Sequence, residues 1–301
     1  MRRKIVKQGA ATLTMSLPTK WAQKFGLKAG DEVEVNDGDK GLVLSPVGTH
    51  LELKGEIDIT GLSKSMVWRY MNTFYVNGFD EIYITGCNDE QVKLLKEVPS
   101  GLVGFSFIEQ KGTTCVLKCI SETRSDQFDG MLKKMFFILN ATAKEITEAV
   151  KVNDAEFLKG SKMRDRDLNN AALFCLRILS KYGYKNQKKT TAMQLFIFFL
   201  ENIGDIYVEI SVIRIGMKAK KVPIKDIKIL EKVNDIVYSF NKVFYDQNKE
   251  DLKNLYEQNK LLKREIDDMV EKGNSDAFLY TVRRIPELIG SLSESLMMIY
   301  L

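Results

Sequence analysis

Three carboxylates at one-turn intervals carry the clearest chemical signal in this chain. Residues 198–209 read Phe198-Phe199-Leu200-Glu201-Asn202-Ile203-Gly204-Asp205-Ile206-Tyr207-Val208-Glu209, so Glu201, Asp205 and Glu209 follow at i,i+4 and line one helix face. Like charges at that spacing destabilise a helix by roughly 0.2–0.5 kcal/mol a pair. No Lys or Arg stands three or four residues from Glu201 or Asp205, where the neighbours are Ile197, Phe198, Gly204 and Val208. Two carboxylates on an apolar face therefore need a cation from outside the helix. It can be a metal ion held by oxygen ligands, or a basic side chain such as Arg177 on the preceding helix or Arg214 beyond the stripe. Asp165 and Asp167, also on the preceding helix, are candidates for a second wall of ligands. Antiparallel packing sets the early part of one helix against the late part of the next, which brings Asp165 or Asp167 nearer Glu209 than Glu201. With oxygen ligands and no histidine in reach, Mg²⁺, Mn²⁺ or Fe³⁺ fits better than Zn²⁺.

The rest of the inventory argues for binding rather than catalysis. His50 is the only histidine, which excludes His/Cys zinc sites and Ser-His or Cys-His triads. Cys87, Cys115, Cys119 and Cys175 form no CxxC pair and read as buried free thiols in a reducing compartment. There is no Walker-type loop and no dinucleotide fingerprint, so no enzyme is expected. The net charge of +5 is modest and unevenly spread. No apolar stretch follows Met1, and the most apolar run, 195–200, is far short of the ~20 residues that span a bilayer. A cytoplasmic protein without membrane insertion is expected.

These acids need elements to position them, and 301 residues suggest two or three domains. Residues 1–46 read as short strands bracketing a one-turn helix, with Arg2-Arg3-Lys4 at the start and a Gly30-Asp31 turn near the end. A unit below ~60 residues buries too little surface to offset its ordering entropy. Ile5, Val6, Leu13, Met15, Leu17, Val33, Val35, Leu42 and Leu44 give it a two-sided apolar set, and the natural cover is a second copy. Residues 47–123 read as a β-α-β-α-β-β module, with a hairpin around Lys111-Gly112 and the plain role of a spacer and packing surface. From 124 to 301 strands vanish. Six helices follow at about 126–152, 154–182, 190–217, 224–247, 249–272 and 275–300, with breaks at Asn153-Asp154, Gly183, 216–223, Asn248 and 273–275. Phe278, Val282, Ile285, Ile289, Leu292, Leu296 and Ile299 form the seam of a packed helix, which Pro286 should kink. A break near the middle at 218–223 suggests two three-helix repeats. The fold class is thus α+β and multidomain.

Two resemblances sharpen this reading. Residues 2–46, with their basic start, Leu17-Pro18 before a short helix, Gly26-Leu27, Gly30-Asp31-Glu32-Val33 and a closing strand before Pro46, resemble the AbrB/MazE/SpoVT swapped-hairpin DNA-binding family. The resemblance implies a homodimeric β barrel that binds double-stranded DNA through Arg2, Arg3, Lys4, Lys7 and Lys20. It departs from many relatives at Ala10-Ala11-Thr12. Residues 124–301 resemble PhoU-like proteins, whose fold is two three-helix repeats with E-x-x-x-D metal motifs. The motif is kept at Glu201 and Asp205; Asn169 stands where an acid is expected, and Arg283 replaces the first acid in the second repeat. Together the two parts resemble archaeal phosphate-uptake regulators that carry their own DNA-binding domain. That resemblance implies a DNA-binding transcriptional regulator of phosphate uptake with a metal-binding sensor bundle. The alternative is a signalling adaptor that contacts a phosphate transporter or kinase without binding DNA; a metal-dependent hydrolase is a distant third.

Overall fold

The computed structural model describes residues 2–9, 11–38, 41–46, 52–121, 123–217, 221–271 and 277–301, with the backbone alone at 34, 36–38, 43, 45, 162 and 164. His50 and the expected breaks at 218–220 and 273–275 lie outside the described residues. The chain divides into two units, 1–53 and 54–301.

The first unit holds two separate antiparallel hairpins with one short helix between them. Strands β1 (Val6–Gln8) and β2 (Thr12–Thr14) pair Val6 with Thr14, and the Thr14 hydroxyl donates to the Val6 carbonyl at 3.2 Å. Helix α1 (Thr19–Lys24) starts at Pro18, whose carbonyl accepts from Trp21 and Ala22, and ends where Gly26 takes a positive φ. The Gly30-Asp31 turn is closed by Asp31, which accepts from the Lys28 amide at 2.7 Å. Strands β3 (Val33–Gly38) and β4 (Gly41–Pro46) then pair from Val33–Pro46 to Gly38–Gly41. Among the described residues of this unit none is buried. Ile5, Val6, Leu13 and Leu42 each leave more than half their surface in solvent.

The second unit has two layers. Its α/β layer is a four-stranded sheet of order β5-β6-β8-β7, built from β5 (Lys54–Asp58), β6 (Glu81–Thr85), β7 (Phe105–Lys111) and β8 (Thr114–Cys119). β5 and β6 are parallel because helix α2 (Lys64–Val76) makes the crossover, and the remaining pairs are antiparallel. Helix α3 (Asp89–Glu97) begins in a capping box between Asn88 and Gln91. Val67, Met71, Tyr75, Ile82, Ile84, Leu95 and Leu117 form the core of this layer. The order of elements is the one that periodicity predicts.

The helical layer starts with α4 (Phe128–Val152), which ends at Asn153 in the left-handed conformation. The single helix expected over 154–182 is two, α5 (Ala155–Lys159) and α6 (Ser161–Tyr182). At Gly160 the α5 turn closes through a three-residue bond from the Gly160 amide to the Phe157 carbonyl, at a residue whose backbone freedom disfavours a continuous helix. Then come α7 (Thr190–Gly216), α8 (Ile224–Asp246), α9 (Lys249–Glu271) and α10 (Ala277–Tyr300). Pro286 sits inside α10 without breaking it, and its carbonyl accepts from the buried Asn259 amide at 2.8 Å. α4, α6 and α7 pack on one another, as do α8, α9 and α10; α7 against α10 and α4 against α8 join the groups around one core.

The α/β layer is seated on α6. Arg177 is fully buried, donates to the Tyr75 and Phe79 carbonyls at 2.9 and 2.8 Å, and bonds Asp80 at 2.7 Å. Its guanidinium lies 4.9 Å from the Tyr75 ring centroid and 5.2 Å from that of Phe105.

Candidate functional site

The acid stripe of α7 faces the first half of α6, and a glycine sets the distance. A Cβ on Gly204 would overlap the Leu168 side chain, which packs into the space the glycine leaves. Leu168 is one turn past Asp165, and Gly204 adjoins Asp205. The close approach therefore places Asp165 and Asn169 opposite Glu201 and Asp205. Asp165 lies within hydrogen-bonding reach of Asp205, and both bear on the Glu201 carboxyl. The Asn169 amide sits between the two helices. In one orientation it donates to Asp165 Oδ2 at 3.3 Å, in the other to Glu201 Oε1 at 3.0 Å.

This arrangement corrects two expectations about register and partners. Asp165 meets Glu201 and Asp205, not Glu209, because contact at Gly204 slides α6 along α7 relative to a simple end-to-end pairing. Glu209 is instead ion-paired with Arg284 of α10, and Asp167 is exposed, away from the cluster. Nor do the two arginines neutralise the stripe. Arg177 is committed to Asp80 across the layer interface, and Arg214 donates to the Asn153 side chain at the end of α4.

Three acids thus stand together where α6 meets α7, Glu201 and Asp165 half-buried and Asp205 exposed, and among the described residues no basic side chain is bonded to them. Burial pushes Glu201 up to about 8, with the Asp205 and Asp165 charges adding to the shift. Burial first and the Asp205 hydrogen bond second push Asp165 up to about 6. The Asp165 Oδ1 atom is buried and no donor faces it. The second half of the bundle handles the same problem differently. There Asp267 of α9 is met by Arg283 and Lys263, and Glu287 of α10 by the same two side chains at 3.0 and 3.8 Å. Arg283 and Lys263 thus bring cations to the acids of α9 and α10. Among the described residues no three acid, cysteine or histidine side chains stand close enough to cage an ion as they are. The chemistry on offer is sharing of protons among the three carboxyls. Asn169, Gly204 and Leu168 shape the pocket, and only the Gly204-Asp205 pair within a strongly apolar helix hinted at them.

The basic residues of the first unit are placed as strand and helix geometry requires. Arg2, Arg3 and Lys4 precede β1, Lys7 lies within it and Lys20 opens α1; all five are exposed. A run of cations along a hairpin edge can meet successive phosphates. Elsewhere, Cys87, Cys115 and Cys175 are buried and Cys119 half-buried, all as free thiols. No helix among the described residues is long and apolar enough to cross a membrane.

Comparison with known proteins agrees with the first unit alone. No curated protein and no solved structure matches the chain. Residues 6–51 match the family model described as antidote-toxin recognition MazE, bacterial antitoxin, and the chain accordingly carries a MazE/AbrB-like domain at residues 6–51, ahead of a large helical region.

Proposed function

We propose that the protein is a dimeric DNA-binding transcriptional regulator whose helical region responds to a cation held by Asp165, Glu201 and Asp205. One observation carries the first half of this reading: a MazE-like unit that matches a family model over residues 6–51 buries none of its described residues. Its apolar side chains need a covering surface, and an intertwined second copy supplies one of matching shape. The same dimer doubles the basic edge made by Arg2, Arg3, Lys4, Lys7 and Lys20. Phosphate contacts from these residues give affinity and register and carry little base information.

The cation half rests on donor chemistry. Three carboxylates, a buried Asp165 oxygen that no donor faces and an adjoining Asn169 amide suit a hard ion such as Mg²⁺ or Mn²⁺. Bound there, the ion takes the place of the proton that Glu201 holds at neutral pH and, below about pH 6, of the Asp165 proton as well. The resemblance of 124–301 to PhoU-like bundles is what attaches phosphate uptake, and a transporter or kinase partner, to this reading. No catalytic role is assigned.

A gel shift on the chain's own upstream DNA, with full-length protein and Arg3→Ala/Lys4→Ala, tests the first half. Removing one phosphate contact flattens the log K against log salt line by about 0.9. An unchanged slope makes the basic start a spectator. The family description also names recognition of a toxin; a dimer that binds no duplex DNA at any salt would favour a protein partner for this unit. For the cation, Mn²⁺ should raise the melting temperature of the wild type by mass action and leave Glu201→Gln/Asp205→Asn unmoved.

A further inference from the structure

Helix α6 has two working faces, and they lie side by side. Asp165 and Asn169 face the acid pocket of α7. On the adjoining face Arg166, Asn170, Leu173, Arg177 and Lys181 form a stripe at i, i+4, i+7, i+11 and i+15, and every member touches the α/β layer. Arg166 donates to the Ser100 hydroxyl, and the Asn170 amide to the Gly101 carbonyl at 3.0 Å. Leu173 packs on the core of that layer. Arg177 and Lys181 converge on Asp80 at 2.7 and 2.6 Å, and Gly78 leaves room for the Lys181 stem. Asp165 and Arg166 are neighbours in sequence, so the contact with the acids and the contact with the turn at 98–101 share one turn of α6.

We infer that α6 is the element that conveys the state of the acid pocket to the α/β layer, with Arg166 and Asn170 as the positioning residues that make the connection. This rests on the reading of Asp165, Glu201 and Asp205 as a cation site and names how that site is coupled. The pinned end, at Arg177 and Lys181, fixes the far half of α6 on the layer. Repulsion between Asp165 and Asp205, joined by Glu201 once it ionises, bears on the near half, and a cation relieves it. Movement of the near half is then a tilt about the pinned end, felt first at Ser100 and Gly101, where a Cβ on Gly101 would already meet Asn170 and Trp68 at 3.3 and 3.4 Å. A helix is stiff enough over these few turns to act as one body. Coupling of this kind requires that the ligand favour one of two arrangements of the pair of layers.

Hydrogen exchange on the full chain tests the connection. Neutralising the pocket with Glu201→Gln/Asp205→Asn imitates the loss of charge without any ion, and should change exchange over 97–103 at least threefold. In an Arg166→Ala/Asn170→Ala background the same pair of substitutions should change it by less than 1.5-fold. Arg177 and Lys181 are intact in that background, so the layer stays seated, and unchanged protection over 73–81 checks this. An equal response in both backgrounds, or none in either, overturns the inference. A separate arm with Mn²⁺ keeps the two ideas apart. If Mn²⁺ gives no thermal gain the cation reading falls, while the neutralised pocket still decides the role of α6. If Mn²⁺ binds but leaves 97–103 unaltered, the cation reading stands and the inference fails.

Discussion

Glu201 and Asp165 are where single protons matter. Each is held above its ordinary value, Glu201 at about 8 and Asp165 at about 6, by burial first and by neighbouring carboxylates second. At these two groups the folded chain binds more protons than the unfolded chain between about pH 4 and pH 8, and their contribution to stability falls as pH rises through that window. The contribution is intact below the unfolded values, near 4, and is lost once Glu201 ionises. Glu201→Gln keeps the shape and cannot ionise, so it should flatten the decline and make the protein more stable than wild type at pH 8. The gain is about 2 kcal/mol, well below the full shift because the pocket is open on one side. Paired melting curves of wild type and variant from pH 5 to 8 read it directly; parallel curves would mean that Glu201 ionises freely. Mn²⁺ should reverse the trend, raising the melting temperature more at pH 8 than at pH 5, since protons and cation compete for the same oxygens.

Between elements, two contacts decide the architecture. Arg177 is the larger: a buried guanidinium with two carbonyls, one carboxylate and two aromatic faces around it. Arg177→Met removes the charge and leaves both carbonyls unmet, at a cost of about 3–5 kcal/mol in denaturant unfolding. Arg177→Lys should recover less than half, because one ammonium cannot reach both carbonyls and Asp80 in a fixed fork. Gly204 is the smaller. Gly204→Ala gains about 1 kcal/mol of helix propensity and loses about 1–3 kcal/mol by crowding Leu168, so a net loss is expected. It should also push α6 from α7 and shrink the pH effect of Glu201. These contacts mark the limit of what the amino-acid pattern discloses. The i,i+4 acids are legible because helix geometry alone puts them on one face, and the seam of α10 is legible for the same reason. The partner of Asp165 is not, because register between α6 and α7 depends on the Leu168 side chain seating against Gly204, a contact between two helices that no local spacing announces. The destination of Arg177 is hidden too, since Asp80 belongs to another layer and no local spacing links them. Gly160 divides α5 from α6 without Pro or a positive φ, which leaves composition little to report.

At the scale of the molecule, the two units differ in what they bury. Unit 54–301 has continuous cores in both layers; unit 1–53 has none among its described residues. Two hairpins of three and six residues per strand are marginal in water when their apolar sides face solvent. A second copy that covers Val6, Leu13, Val35 and Leu42 turns the same strands into a shared core, and burial of a single such side chain is worth about 1.5–3 kcal/mol. Self-association should therefore track the head. Full-length protein should remain dimeric in light scattering at micromolar concentration, and Leu13→Asp/Leu42→Asp should shift it toward monomer without altering the helical signal of 128–300. DNA affinity should fall with the dimer, since one copy presents only half the basic edge. Wild type should show a salt slope set by all the phosphate contacts of two heads, and the Leu13→Asp/Leu42→Asp protein a slope about half as steep. A monomeric wild type at micromolar concentration, or an aspartate variant that keeps the full slope, would show that the head reaches DNA without a second copy.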